Sequence, residues 1–78
     1  MLTLQRIAVE QSAETALEYF QRGVAKGDKI AQLLLGVMHE EGIAVEQNPK
    51  AAANLYQQAA LQGIAEAQYR LGNPPFPL

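Results

Sequence analysis

The pentapeptide IAVEQ stands at Ile7–Gln11 and again, unchanged, at Ile43–Gln47, 36 residues further along the chain. At the same offset Ala16 matches Ala52, Gln21 matches Gln57, and Gly27 matches Gly63. Ala31-Gln32 match Ala67-Gln68, Leu35-Gly36 match Leu71-Gly72, and Phe20 stands opposite Tyr56. A repeat of roughly 20 to 50 residues marks a stacked array, in which each unit buries its apolar face on a neighbour. Arrays of this kind mostly bind other proteins.

Alanine, leucine, glutamine and glutamate dominate, and β-branched residues are few outside the two IAV segments, a mixture that favours helix. Ser12 and Asn48 each precede an apolar-periodic run, and their side chains can accept hydrogen bonds from the free N–H groups of a first helical turn. Pro49 suits the first helical position, where its missing N–H costs nothing. The first helix of each unit is therefore expected at about Ser12–Lys26 and Asn48–Gln62. Ala13, Ala16, Leu17, Phe20 and Val24 share one face of the former; Ala52, Tyr56, Ala59 and Ala60 share the equivalent face of the latter.

Gly27 and Gly63 suit the left-handed turn that ends a helix. Asp28 can then cap the next helix by its side chain, whereas Ile64 cannot. Second helices follow at about Asp28–Glu41 and Ile64–Leu71. The segment Ile30–Met38 is apolar nearly all round, as a helix sandwiched between neighbours must be. Gly36 within it costs about 1 kcal/mol relative to alanine, and its recurrence at Gly72 points to a close helix approach at both places. Gly42 ends the longer helix, IAVEQ links the units, and Pro74-Pro75 cannot continue a helix. The expected architecture is a short all-α superhelix of about two helix-turn-helix repeats in a single domain, 1–78. Repeat one covers about 7–42, repeat two about 43–72, and a proline-rich tail 73–78.

From Gly42 to Gly72 the order G-I-A-V, N-P-K-A-A, L-Y, Q-A-A-L-Q-G, A-E-A-Q and L-G resembles the Sel-one-like repeat, a relative of the tetratricopeptide repeat. The segment Ile7–Gly42 follows the pattern more loosely. Arg6 stands where the pattern has the glycine found at Gly42, Ser12 where it has Asp or Asn, and Tyr19-Phe20 where an aromatic pair is usual. The resemblance implies a right-handed superhelix of antiparallel helix pairs, with a concave face that recruits protein partners. It implies adaptor or scaffold roles, and no common ligand or catalytic site.

A chain of 78 residues hides only about 60–65% of the surface its unfolded form exposes, so its stability is marginal. With no cysteine it has neither disulfides nor thiolate ligands to supplement the core. Self-association through exposed array ends, or docking on another protein or peptide, is the expected supplement. The net charge of −2 and scattered basic residues lack the clustered footprint that neutralises a nucleic-acid backbone. No apolar run reaches the ~20 residues needed to span a bilayer. The start MLTLQRIAVEQ lacks a cationic region followed by a sustained apolar stretch, so no signal peptide is read. A cytoplasmic setting is favoured, with export after removal of a leader left open.

The chemistry-bearing residues favour binding over catalysis. His39 has no ligand partner at i±3 or i±4 on its helix, so no metal site is read. It fits better as a partly exposed histidine near a helix C-terminus, well placed for the dipole. A hydrolase using His39 with Glu40 or Glu41 would need an orienting partner and a nearby nucleophile, and Ser12 is better explained as a cap. Glu10 and Glu46 lie one repeat apart, too far for a catalytic pair. No glycine-rich loop joins a lysine to cradle phosphate. No catalytic residue, cofactor or metal is expected.

The partner-binding candidates are Glu18 with Arg22, and Asn54 with Gln58 at the same positions of the second copy. Tyr19 adds an aromatic contact. Pro74-x-x-Pro77 around Phe76 reads as a cap over the apolar end of the array, ahead of polyproline docking. The function expected is that of a non-catalytic protein-interaction module. The alternatives are a small immunity-type binder that neutralises an effector, a fragment of a longer repeat protein, and, least favoured, the His39 hydrolase.

Overall fold

The computed structural model of the chain describes the backbone of residues 2–72 and the side chains of residues 9–72. The reading of Phe76 and the Pro74–Pro77 motif lies outside these residues. Four helices follow in order: α1 Leu2–Ala25, α2 Lys29–Glu41, α3 Pro49–Leu61 and α4 Ala65–Arg70. No strand occurs among the described residues. Each helix packs chiefly on the next, α1 on α2, α2 on α3 and α3 on α4, which makes an elongated body of 50 × 25 × 18 Å.

The turns follow from residue chemistry. At Gly27, Gly42 and Gly63 the backbone takes φ of 79°, 70° and 91°, left-handed values open to glycine without a Cβ penalty. In each turn the next N–H reaches the carbonyl five residues back: Asp28 to Gly23 at 2.9 Å, Ile43 to Met38 at 2.9 Å, Ile64 to Ala59 at 3.1 Å. These bonds satisfy carbonyls the helix end leaves free. The Asp28 carboxylate accepts from Ile30 N–H at 2.9 Å and Ala31 N–H at 3.2 Å, and the Asn48 amide oxygen accepts from Ala51 N–H at 3.1 Å. Pro49 opens α3 as expected, and Ile64 makes no side-chain cap.

One boundary differs from expectation. Ser12 starts no helix: α1 runs on through Ile7–Gln11 from Leu2, 24 residues in all. Arginine, alanine, glutamate and glutamine are good helix formers, and neither a glycine before the pentapeptide nor a proline after Ser12 stops them. Ser12 is exposed, and the Thr15 hydroxyl donates to the Gln11 carbonyl at 2.9 Å within the same helix. By its rise α1 is roughly 36 Å long against roughly 20 Å for α2, so its N-terminal turns overhang the hairpin.

The core sits between α2 and α3. Ala31, Gln32, Leu35, Gly36 and Met38 of α2 are buried, as are Ala52, Tyr56 and Ala59 of α3 and Ala67 of α4. Gly36 is where α2 and α3 close: a Cβ there would lie 2.7 Å from Cε1 of Tyr56 and 2.8 Å from its Cδ1. Its partner in the repeat does not follow suit. Gly72 has φ of 85°, and a Cβ added there would meet nothing within 4 Å among the described residues, so it serves a turn after α4 and no contact between the described helices. A second close approach escapes the sequence reading: a Cβ on Gly23 would meet Cβ of Ala31 at 2.5 Å. The equivalent positions, Ala59 and Ala67, are fully buried.

Candidate protein-interaction surface

On the first helices of the two hairpins, Glu18 and Arg22 lie four residues apart on α1, and Asn54 and Gln58 four apart on α3, so each pair shares a helix face. All four side chains are exposed. Among the described residues both ion pairs belong to Arg70, which leaves Glu18 and Arg22 facing water. Leu61, 83% exposed, stands three residues beyond Gln58 on the same face of α3; an apolar residue at a helix end gives no signal in the sequence.

Tyr19 is 72% exposed and meets Phe20 edge to face, with ring centroids 5.7 Å apart and planes at 79°. Tyr19, Arg22, Lys26 and Ile30 border an open groove of about 410 Å³ between α1 and the start of α2. Of the five sequence candidates the groove gathers Tyr19 and Arg22. Glu18 lies outside it on α1, and Asn54 and Gln58 stand apart on α3.

A partly buried network is not anticipated by the repeat. The Tyr56 hydroxyl lies 3.2 Å from both carboxylate oxygens of Glu40. Arg70 donates from Nη1 to Glu40 at 3.1 Å and from Nε to Glu66 at 3.1 Å. Its guanidinium sits 5.9 Å from the centre of the Tyr56 ring, within reach of a cation–π attraction. Burial raises the Tyr56 pKa, the Glu40 carboxylate raises it further, and Arg70 opposes both. The hydrogen bond to Glu66 raises that of Arg70. The phenol is thus held as a hydrogen-bond donor, and the cation lies between two carboxylates. This network clamps α2, α3 and α4 together. Pairings 16 and 30 residues apart carry no periodic signal, so the sequence reading passes over them.

A further tie crosses the repeats: Gln62 donates from Nε2 to the Gly27 carbonyl at 3.0 Å and to Oε1 of Gln32 at 2.9 Å. It gives Gln32, the one polar residue buried among those described, the partner that a buried amide requires. His39 lies in the last turn of α2, with Nδ1 buried and lacking a partner. Glu40 is engaged by Tyr56 and Arg70 and so cannot orient the imidazole. The hydroxyl of Thr15 is bound to its own helix. No nucleophile, base and orienting group converge among these side chains, nor does any group of three or more His, Asp or Glu among the described residues. No helix among the described residues is long and apolar enough to cross a membrane.

The sequence profile described as the Sel1 repeat matches residues 4–28, 29–64 and 65–73. Its central match spans α2 and α3, the best-packed pair in the molecule. No curated protein and no solved structure matches the chain.

Proposed function

The chain belongs to the Sel1 repeat family, whose repeats generally mediate protein–protein interaction, and we propose that it acts as a non-catalytic adaptor or scaffold. The surface proposed to take the partner is formed by Glu18, Tyr19, Arg22, Asn54 and Gln58. One observation carries this reading. These five side chains are exposed and make no side-chain hydrogen bond or ion pair among the described residues. Gln47, Gln62, Gln68, Glu40, Glu66 and Arg70 are by contrast bonded within the fold. Gln21, Lys26 and Gln57 are exposed and unbonded like the five, and the set is distinguished by a polar i,i+4 pair at the same positions of both copies. The charged pair on α1 and the amide pair on α3 are thus open to a partner, whose backbone and charges they can read by hydrogen bonds.

The test is a comparative capture experiment. The wild-type chain and a variant carrying Glu18→Ala, Arg22→Ala, Asn54→Ala and Gln58→Ala are immobilised side by side, with circular dichroism showing equal helicity. A protein held in stoichiometric amount by the wild type and lost by the variant supports the proposal. Equal retention by both would move the binding surface elsewhere. An enzyme recovered as the partner, with its activity suppressed, would identify the immunity-type role.

A further inference from the structure

Within the chain, α3 lies on α2 through a defined set of contacts. The Tyr56 ring covers Gly36, Leu33 packs against the cluster around Tyr56, and Gln62 bonds to Gln32 and to the Gly27 carbonyl. The 36-residue offset maps these onto residues that are half-buried or exposed. On α1, Phe20 and Ala16 are only half-buried, whereas Tyr56 and Ala52 are each 2% exposed. On the α4 side, Tyr69, the counterpart of Leu33, is 73% exposed. Among the described residues, nothing fills the space where a Cβ of Gly72 would point. Gln68 uses its amide nitrogen on the Ala60 carbonyl, which leaves Oε1 able to accept.

We propose that a second copy of this chain stacks head to tail on the first, its α1 seated on α4 as α3 is seated on α2. This inference rests on the protein-binding reading and names the partner as the chain itself. Phe20 of one copy covers Gly72 of the next, and Tyr69 fills the part Leu33 plays inside the chain. Lys26 takes the place of Gln62: its ammonium, with three N–H donors, serves Oε1 of Gln68 and the Gly63 carbonyl. Lys26 is exposed and forms no ion pair among the described residues. The two faces differ, so the contact is heterologous and the association continues beyond a dimer. The seat on α4 has 6 helical residues against 13 on α2, so stacking is reversible and rises with concentration.

Sedimentation velocity from micromolar to millimolar protein tests this with two exposed substitutions, Lys26→Glu on the α1 face and Tyr69→Glu on the α4 face, each checked for native helicity. The wild-type mass is expected to climb past that of a dimer. Each variant alone should stay monomeric, while an equimolar mixture should stop at a heterodimer, because each supplies the face the other lacks. A wild type that remains monomeric, association that closes at a dimer, or a mixture that stays monomeric overturns the proposal. A monomer that still captures a partner through Arg22 and Gln58 leaves the protein-binding reading intact; a chain that stacks but captures nothing else does the reverse.

Discussion

Ile7–Gln11 and Ile43–Gln47 are the same five residues, yet the first set lies inside a long helix and the second forms an open loop. The difference lies in what surrounds them. In the second copy Gly42 breaks the helix ahead of the segment, and Asn48-Pro49 start a new one behind it. Between them the loop satisfies three successive carbonyls at the end of α2. Ile43 N–H takes Met38 at 2.9 Å and Asn48 N–H takes His39 at 2.8 Å, while the Gln47 amide takes Glu40 at 2.8 Å. These bonds hold Ala44 at φ of 61°, a left-handed conformation that costs about 1–2 kcal/mol for alanine. In the first copy Arg6 replaces the glycine and Ala13 the proline, and the pentapeptide follows its helix propensity.

The largest test of this inequality between copies is at the core aromatic. Tyr56→Ala should cost about 3–5 kcal/mol, a large share of a small domain's stability. Phe20→Ala, at the half-buried equivalent, should cost about half as much, both read from urea midpoints. Gly36 and Gly72 come next. Gly36→Ala should lose about 1–2 kcal/mol, overpacking against Tyr56 outweighing the gain in helix propensity, and Gly36→Leu should lose more. At Gly72 the loss should reflect only backbone strain, about 1 kcal/mol, and stay nearly constant from alanine to leucine. If side-chain size matters equally at both glycines, the distinction drawn between them fails.

A comparable loss is expected from Tyr56→Phe, which writes the first copy's residue into the second and removes the bond to Glu40, worth about 0.5–1.5 kcal/mol. Its pH dependence is more telling. The folded chain holds the Tyr56 proton above the ordinary value of 10.0, so the folded state binds more protons than the unfolded there. The stability from this group is whole below the unfolded value and falls as pH climbs through the folded-state pKa. Denaturation midpoints should drop more steeply above pH 10.0 in the wild type than in the Phe variant. The caps give the smallest effects and separate the copies by sign. Asn48→Ala should destabilise by about 1 kcal/mol, whereas Ser12→Ala, inside α1, should be neutral or stabilise by roughly a few tenths of a kcal/mol in thermal melts.

The helices α2, α3 and α4 are legible within a residue or two of their ends, because Asp28, Asn48-Pro49 and the glycines Gly27, Gly42 and Gly63 punctuate them locally. The start of α1 is not. Ser12 has the chemistry of a cap, but a cap acts only where the chain has already left the helix, and nothing before it forces that. Gly36 stands out as a close contact by its cost in a helix; Gly23 does not, since only the approach of Ala31 reveals it. Glu18, Arg22, Asn54 and Gln58 follow from spacing, and Tyr19 joins them as an aromatic neighbour. The structure places all five in water, with Tyr19 and Arg22 in one groove. The Glu40–Tyr56–Arg70 clamp joins residues far apart in the chain, where periodicity is silent.

Because every helix leans chiefly on its immediate successor, the order in which the molecule assembles should follow its length. Contacts between sequence neighbours close quickly, so α2 and α3 can form a nucleus to which α1 and α4 add from either side. Amide hydrogen exchange should then be slowest around Leu35, Gly36 and Tyr56 and quicken towards both ends, in a graded profile typical of one-dimensional stacks.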